Sequence, residues 1–136
     1  GMHISVATPS THACPQFYVD QAQTDARITG SNVVITEDPV AAVKDADVVY
    51  TDTWTSMGQE EQKAERVKIF SAYRVDKSLM SYAKPDAIFM HCLPAYRGYE
   101  VTEDIIDSPC SVVFDEAENR LHAHKAILVH CLSHGK

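Results

Sequence analysis

The residues best equipped for chemistry fall in two short stretches, Asp52-Thr53-Trp54-Thr55-Ser56-Met57-Gly58 and His91-Cys92-Leu93-Pro94. In the second, a polarisable thiol stands beside an imidazole that donates or accepts hydrogen bonds near neutral pH. Leu93-Pro94 fixes the backbone just beyond them. The first stretch gathers a carboxylate, hydroxyls, an indole and a glycine. Such a loop can offer a carboxylate to an amine and a backbone N–H to a carboxylate, the two needs of an amino acid ligand. Each stretch also has a plainer reading. Ser56, three residues before Gln59, imitates a helix capping box, and His91 and Cys92 could simply be packed at the end of a core strand.

The elements that must position these stretches are legible around them. Ile88-Phe89-Met90, bounded upstream by Lys84-Pro85-Asp86, reads as a short buried strand running into His91. Asp47-Val48-Val49-Tyr50-Thr51 reads as a strand running into Asp52. Open α/β sheets place ligands at the carboxyl ends of their strands, so Asp52 and Cys92 are expected there, in one cleft. Residues 3–8 alternate as a strand stopped by Pro9, and Val33-Val34-Ile35-Thr36 forms another after the Gly30-Ser31-Asn32 turn. Helices are expected over 14–26 and 59–70, from an Asp38 cap with Pro39 at the first position to about Lys44, from Asp76 to about Tyr82, and after Thr102. Tyr73-Arg74-Val75 is a brief extended piece, Ser111-Val112-Val113-Phe114 a last strand, and 117–132 the C-terminal helix. Strands alternating with helices predict an α/β fold: a parallel, Rossmann-like sheet in three αβα layers.

With 136 residues the chain can bury a real core as one domain. A net charge of −7 argues against nucleic acid or an anionic membrane surface as the main partner. No apolar run approaches the length of a membrane span. Cys14, Cys92, Cys110 and Cys131 are widely spaced and form no C-x-x-C pair, which favours reduced thiols in a cytoplasmic setting over a disulfide framework or zinc site. His122, His124, His130 and His134 invite a metal reading. His130 and His134 are i, i+4 neighbours on one helical face, but no carboxylate pattern completes a site, and an exposed helix face accounts for them.

Taken together, the D-x-x-x-S-M-G and H-C-L-P stretches resemble the ornithine carbamoyltransferase family. Gly1-Met2-His3, Ala7-Thr8-Pro9 and Glu116-Ala117-Glu118-Asn119-Arg120 are similar to it too, in the family's order over nearly the whole chain. The S-M-G loop separates this family from aspartate and putrescine carbamoyltransferases, which share the fold. The resemblance implies transfer of the carbamoyl group of carbamoyl phosphate to the δ-amine of L-ornithine, giving L-citrulline and phosphate. That is a step of arginine biosynthesis and the urea cycle, and it needs no metal or cofactor. The resemblance implies that Asp52, Ser56 and Met57 hold the amino acid end of ornithine. Cys92, Leu93 and Pro94 would line the meeting point of the two substrates, with His91 in support, and Arg120 would contact carbamoyl phosphate. Asp52, Cys92 and Arg120 are the expected catalytic residues. A cis Leu93-Pro94 bond and, in the whole enzyme, a trimer are also implied.

The family has two domains, and residues 1–136 match most of the second, so the chain is expected to be a partial ornithine-binding domain. The Ser-x-Arg-Thr and His-Pro-x-Gln segments that grip carbamoyl phosphate have no counterpart in the sequence. Neither does the family's first β-α unit, whose strand would lie between the first and third strands seen here. Unpaired backbone groups are expected at that place. An apolar stripe of Leu121, His124, Leu128 and Leu132, with Ile127 beside it, is expected to lie open on the last helix. Two classes of function stay open. One is a carbamoyltransferase whose site is split across domains, this chain being inactive alone; the other is a non-catalytic amino-acid-binding or interaction domain.

Overall fold

In the computed structural model, which describes residues 1–55, 58 and 60–134, the chain adopts the expected αβα, Rossmann-like arrangement of short parallel strands and helices. Strand β1 (Ile4–Ala7) leads through helix α1 (Gln16–Thr29) to β2 (Val33–Thr36), which pairs parallel with β1, Ile4 opposite Val33. The entrance and exit of α1 follow from local chemistry. Pro15 sits at its N-cap, and Gly30 closes it in the left-handed region (φ 70°), its N–H donating to the carbonyl of Ala26. The helix therefore runs to Thr29, three residues beyond the expected end, because Gly30 is what stops it.

Helix α2 (Pro39–Val43) starts as its sequence demands: the Asp38 carboxylate accepts the N–H groups of Val40 and Ala41. Strand β3 (Val48–Thr51) follows. A short 3₁₀ turn at Glu60–Gln62 leads into α3 (Lys63–Phe70), and α4 (Lys77–Met80) is capped by Asp76, which accepts the N–H of Leu79. Strand β4 (Ile88–His91) pairs parallel with β3, Val48 opposite Ile88 and Thr51 opposite His91. Helix α5 (Glu103–Ile106) has Thr102 at its N-cap position. The Thr102 hydroxyl does not cap the helix; it reaches back to the carbonyl of Val75. The extended piece at 73–75 reduces to one bridge, Val75 beside Val101.

The expected last strand is a correction. Only Ser111 makes a strand-like bridge, to Phe89, and helix α6 begins at Val113 and runs to His134. Two hydrogen bonds fix that single bridge: Phe89 N–H to the Cys110 carbonyl (2.8 Å) and Val112 N–H to the Phe89 carbonyl (3.0 Å). The β-branched run at 111–113 suggested a strand, but Val113 is buried as the first helical residue of α6 and contributes to the core from there.

The sheet is split. Strands β1 and β2 form one pair, β3 and β4 another, and no described strand is hydrogen-bonded between β1 and β3. A cleft of about 370 Å³ separates them, lined by Ser5 and Ala7 on one side, Val48 to Thr51 on the other, and Ala42 and Val43 of α2. This is where unpaired strand edges were expected. The main core cluster gathers around β3 and β4: Val43 of α2, with Val49, Val75, Leu79, Phe89, Val101, Ile105, Ile106 and Val113. On β1 and β2, Ile4, Val34 and Ile35 stay exposed, as do Leu121, Ile127, Leu128 and Leu132 along α6.

Phe89, 0% exposed, is bonded on one side to β3 and on the other to residues 110–112. Phe89→Ala should lower unfolding free energy by about 3–5 kcal/mol, enough to unfold a marginal domain, whereas Phe17→Ala, on a 71% exposed ring, should change it by about 0.5 kcal/mol or less. Urea titration of the two variants checks the contrast.

Candidate active site

The parallel register of β3 and β4 sets the site. With Thr51 opposite His91, the next residue of each strand emerges beside its neighbour, and these are Asp52 and Cys92. The Cys92 thiol donates to Asp52 Oδ1 at 3.1 Å, and the same oxygen accepts the N–H of Thr53 at 2.6 Å. Burial by itself would raise the pKa of Asp52. The Cys92 thiol and the Thr53 N–H more than offset it and hold the carboxyl below its ordinary range. Burial, then the Asp52 carboxylate, push the Cys92 thiol up. Tyr50 is likewise pushed up, by burial first and then by Cys92. At neutral pH the site therefore presents one carboxylate beside a protonated thiol and a phenol. Such a thiol orients a ligand by hydrogen bonding and is a poor nucleophile.

Beyond Cys92 the chain turns. Leu93-Pro94 is cis, as expected, and Leu93 has φ 53°. Side chains from other parts of the chain hold this turn. Glu116 Oε2 accepts the N–H of His91 at 3.0 Å, and Arg120 Nη1 donates to the carbonyl of Cys92 at 2.8 Å. Glu116 and Arg120 are i, i+4 on α6, so two successive turns of one helix face take up successive backbone groups of the loop. On the β3 side, Trp54 is buried and its ring stacks on Phe70 of α3, while its carbonyl accepts from Arg66 Nη1 at 3.2 Å. Ser56 and Met57 lie outside the described residues.

His91 does not face the cleft. It is fully buried, with Nδ1 accepting the N–H of Leu93 (2.9 Å) and Nε2 3.3 Å from Glu100 Oε1. Among the described residues the one cluster of metal-capable side chains is Asp52, His91 and Cys92, whose donor atoms lie within 4.8 Å of one another. Both ring nitrogens of His91 are already engaged, so this trio offers no free imidazole lone pair. His122 sits 3.8 Å from Glu118 on the exposed face of α6.

Three residues of the site escaped the sequence reading. From the sequence Tyr50 reads only as a strand residue, and Glu116 only as part of a motif. Glu100 stands in Arg97-Gly98-Tyr99-Glu100-Val101, where nothing in composition announces a buried carboxylate. Its one signal is position, two residues after a glycine and directly before the buried Val101.

Residues 1–131 match the family of the aspartate/ornithine carbamoyltransferase Asp/Orn-binding domain. The chain belongs to that family. It is 61% identical over 129 residues to an ornithine carbamoyltransferase of Caldicellulosiruptor saccharolyticus, covering 95% of this chain and 42% of the relative. The solved structure of ornithine carbamoyltransferase from Pyrococcus furiosus superposes with a TM-score of 0.89 at 54% identity, covering 95% of this chain and 41% of that one. A solved N-acetyl-L-ornithine transcarbamylase, the K302A mutant complexed with PALAO, superposes at 0.80 with 31% identity, covering 94% and 40%. The chain thus spans well under half the length of the relatives it matches.

The electrostatics of the Asp52–Cys92 pair yield a direct test. A raised thiol pKa leaves less thiolate at a given pH, so alkylation of Cys92 should follow a profile displaced to higher pH than that of an ordinary thiol. Asp52→Asn removes a negative charge beside the thiol, so its profile should move to lower pH and its rate at neutral pH should rise. Peptide-resolved mass spectrometry after timed iodoacetamide treatment measures both.

Proposed function

We propose that residues 1–136 form the ornithine-binding domain of an ornithine carbamoyltransferase, which transfers the carbamoyl group of carbamoyl phosphate to the δ-amine of L-ornithine, giving L-citrulline and phosphate. The observation that carries this reading is the Asp52 carboxylate held against a protonated Cys92 thiol, beside a carbonyl gripped by Arg120, at the carboxyl ends of adjacent strands. The high identity to curated ornithine carbamoyltransferases supports it.

The residue types suit the reaction. An alkyl δ-amine resembles lysine, with a reference pKa of about 10.4, so it arrives protonated and must shed a proton before it attacks the carbamoyl carbon. Asp52 accepts hydrogen bonds from an ammonium group of the amino acid, with Ser56 and Met57 completing its grip. Cys92, Leu93 and Pro94 shape the place where the amine meets the carbamoyl carbon. As the new C–N bond forms, the C–O bond to phosphate breaks and the phosphate leaves with the electron pair. Arg120 spends one N–H on Cys92 and has other donors for the carbamoyl oxygen and the departing phosphate. His91 supports the loop from behind. Carbamoyl phosphate, a second domain that grips it, a trimeric assembly and a cytoplasmic place in arginine biosynthesis belong to the same proposal; four free cysteines fit a reducing compartment.

Replacing the matched segment of the Pyrococcus furiosus enzyme with this chain tests the reading. The chimaera should form citrulline from L-ornithine and carbamoyl phosphate, and Arg120→Ala within it should lower the rate by roughly 10²–10³-fold, as loss of an oxyanion-type donor does. The 136-residue chain alone should form none, because it lacks the Ser-x-Arg-Thr loop and attack needs both substrates held in register. A folded chimaera that carbamoylates N-acetyl-L-ornithine or another amine, and not ornithine, would overturn the assignment. One that binds an amino acid without turnover would favour the non-catalytic class.

A further inference from the structure

A buried carboxylate outside the substrate cleft needs a reason. Glu100 is 1% exposed and His91 0%, and together they are the buried polar residues among those described. Glu100 Oε1 accepts the N–H of Tyr96 at 2.6 Å and lies 3.3 Å from His91 Nε2. On the far side of the ring, His91 Nδ1 accepts the N–H of Leu93 at 2.9 Å. A nitrogen that accepts an N–H carries no proton of its own. His91 is therefore the Nε2–H tautomer, and it donates that proton to Glu100.

The geometry matters because of what lies between. Leu93 has φ 53°, in the left-handed region, which non-glycine residues adopt only at a cost. It sits one residue beyond Cys92, whose thiol reaches Asp52. Glu100 clasps both ends of this turn: His91 before Leu93 directly through the ring, Tyr96 after it through the backbone. With the alternative tautomer, Nδ1–H would confront the Leu93 N–H, two donors face to face, and the turn would lose its inner hydrogen bond.

We propose that Glu100 is a positioning residue, which fixes the Nε2–H tautomer of His91 and through it the Leu93 turn that sets the Cys92 thiol against Asp52. What the thiol is positioned for rests on the reading of this site as the ornithine end of a carbamoyltransferase; the positioning itself does not. No metal or cofactor enters it, and no group reacts covalently.

The test uses the chain itself, with no substrate, so its failure is separate from failure of the citrulline assay. Long-range proton–nitrogen spectra of the His91 ring should show the Nε2–H form. Glu100→Met, which keeps the side-chain length and removes the acceptor, should shift the ring toward Nδ1–H. It should also raise the Cys92 alkylation rate about fivefold or more, as expected for loss of a charge-assisted hydrogen bond, while Cys110, half-buried on the flank of β4 beside Phe89, stays within about twofold. Glu100→Gln keeps a neutral acceptor, so it should retain the Nε2–H tautomer with an intermediate Cys92 rate; if the Met variant does not fold, this variant carries the test. A wild-type ring that is Nδ1–H or doubly protonated at neutral pH overturns the proposal. So does a folded variant whose Cys92 rate is unchanged, or one in which Cys92 and Cys110 speed up together with a fall in Tm, the mark of a purely structural role.

Discussion

A chain leaving a buried parallel strand carries its N–H and C=O groups into a region where no further strand receives them. Left unpaired away from water, each such group costs roughly 1–3 kcal/mol. After β4 this need is met by side chains. Glu116 takes the N–H of His91, Arg120 the carbonyl of Cys92, the His91 ring the N–H of Leu93, and Glu100 the N–H of Tyr96. The loop has one shape because four side chains hold successive parts of its backbone. The position of the Cys92 thiol, and hence the protonation of the Asp52–Cys92 pair, depends on that backbone.

The same loop shows why charged residues from α6 reach a cleft made by strands. The bridge at Ser111 binds the chain to the side of β4, and α6 starts two residues later, at Val113. The first two turns of the helix are thereby set beside the strand end. Helical periodicity then puts Glu116 and Arg120 on one face, a carboxylate for an N–H and a guanidinium for a carbonyl. The loop on the β3 side is held differently, by aromatic packing of Trp54 on Phe70 and one arginine bond to the Trp54 carbonyl.

Strand positions, the aspartate caps at Asp38 and Asp76, and the placing of Asp52 and Cys92 at adjacent strand ends were legible because each follows from local pattern. Alternation, an acceptor before a helix and a polar pair after an apolar run are all short-range signals. The strand at 111–114 was misread for the same reason. β-Branched residues promise a strand locally, but here the tertiary setting spends one residue on a bridge and gives Val113 to a helix. The role of Glu100 was not legible at all. Its partners lie four and nine residues away around a turn whose course depends on the left-handed Leu93, and no spacing rule describes such a closure.

The split between β1–β2 and β3–β4 also divides the molecule in how long its hydrogen bonds survive. Amide protons exchange with solvent through openings whose cost follows the apolar surface that must be exposed. Around Phe89, opening disrupts the whole core, flanked by bonds on both sides of the strand. Around Ile4, Val34 and Ile35, the side chains already meet water, and among the described residues β1 is held in its ladder by β2 alone. Deuterium would therefore enter the first third of the chain well before it entered β4. The half that frays first is also the half that contributes none of the residues gathered around Cys92.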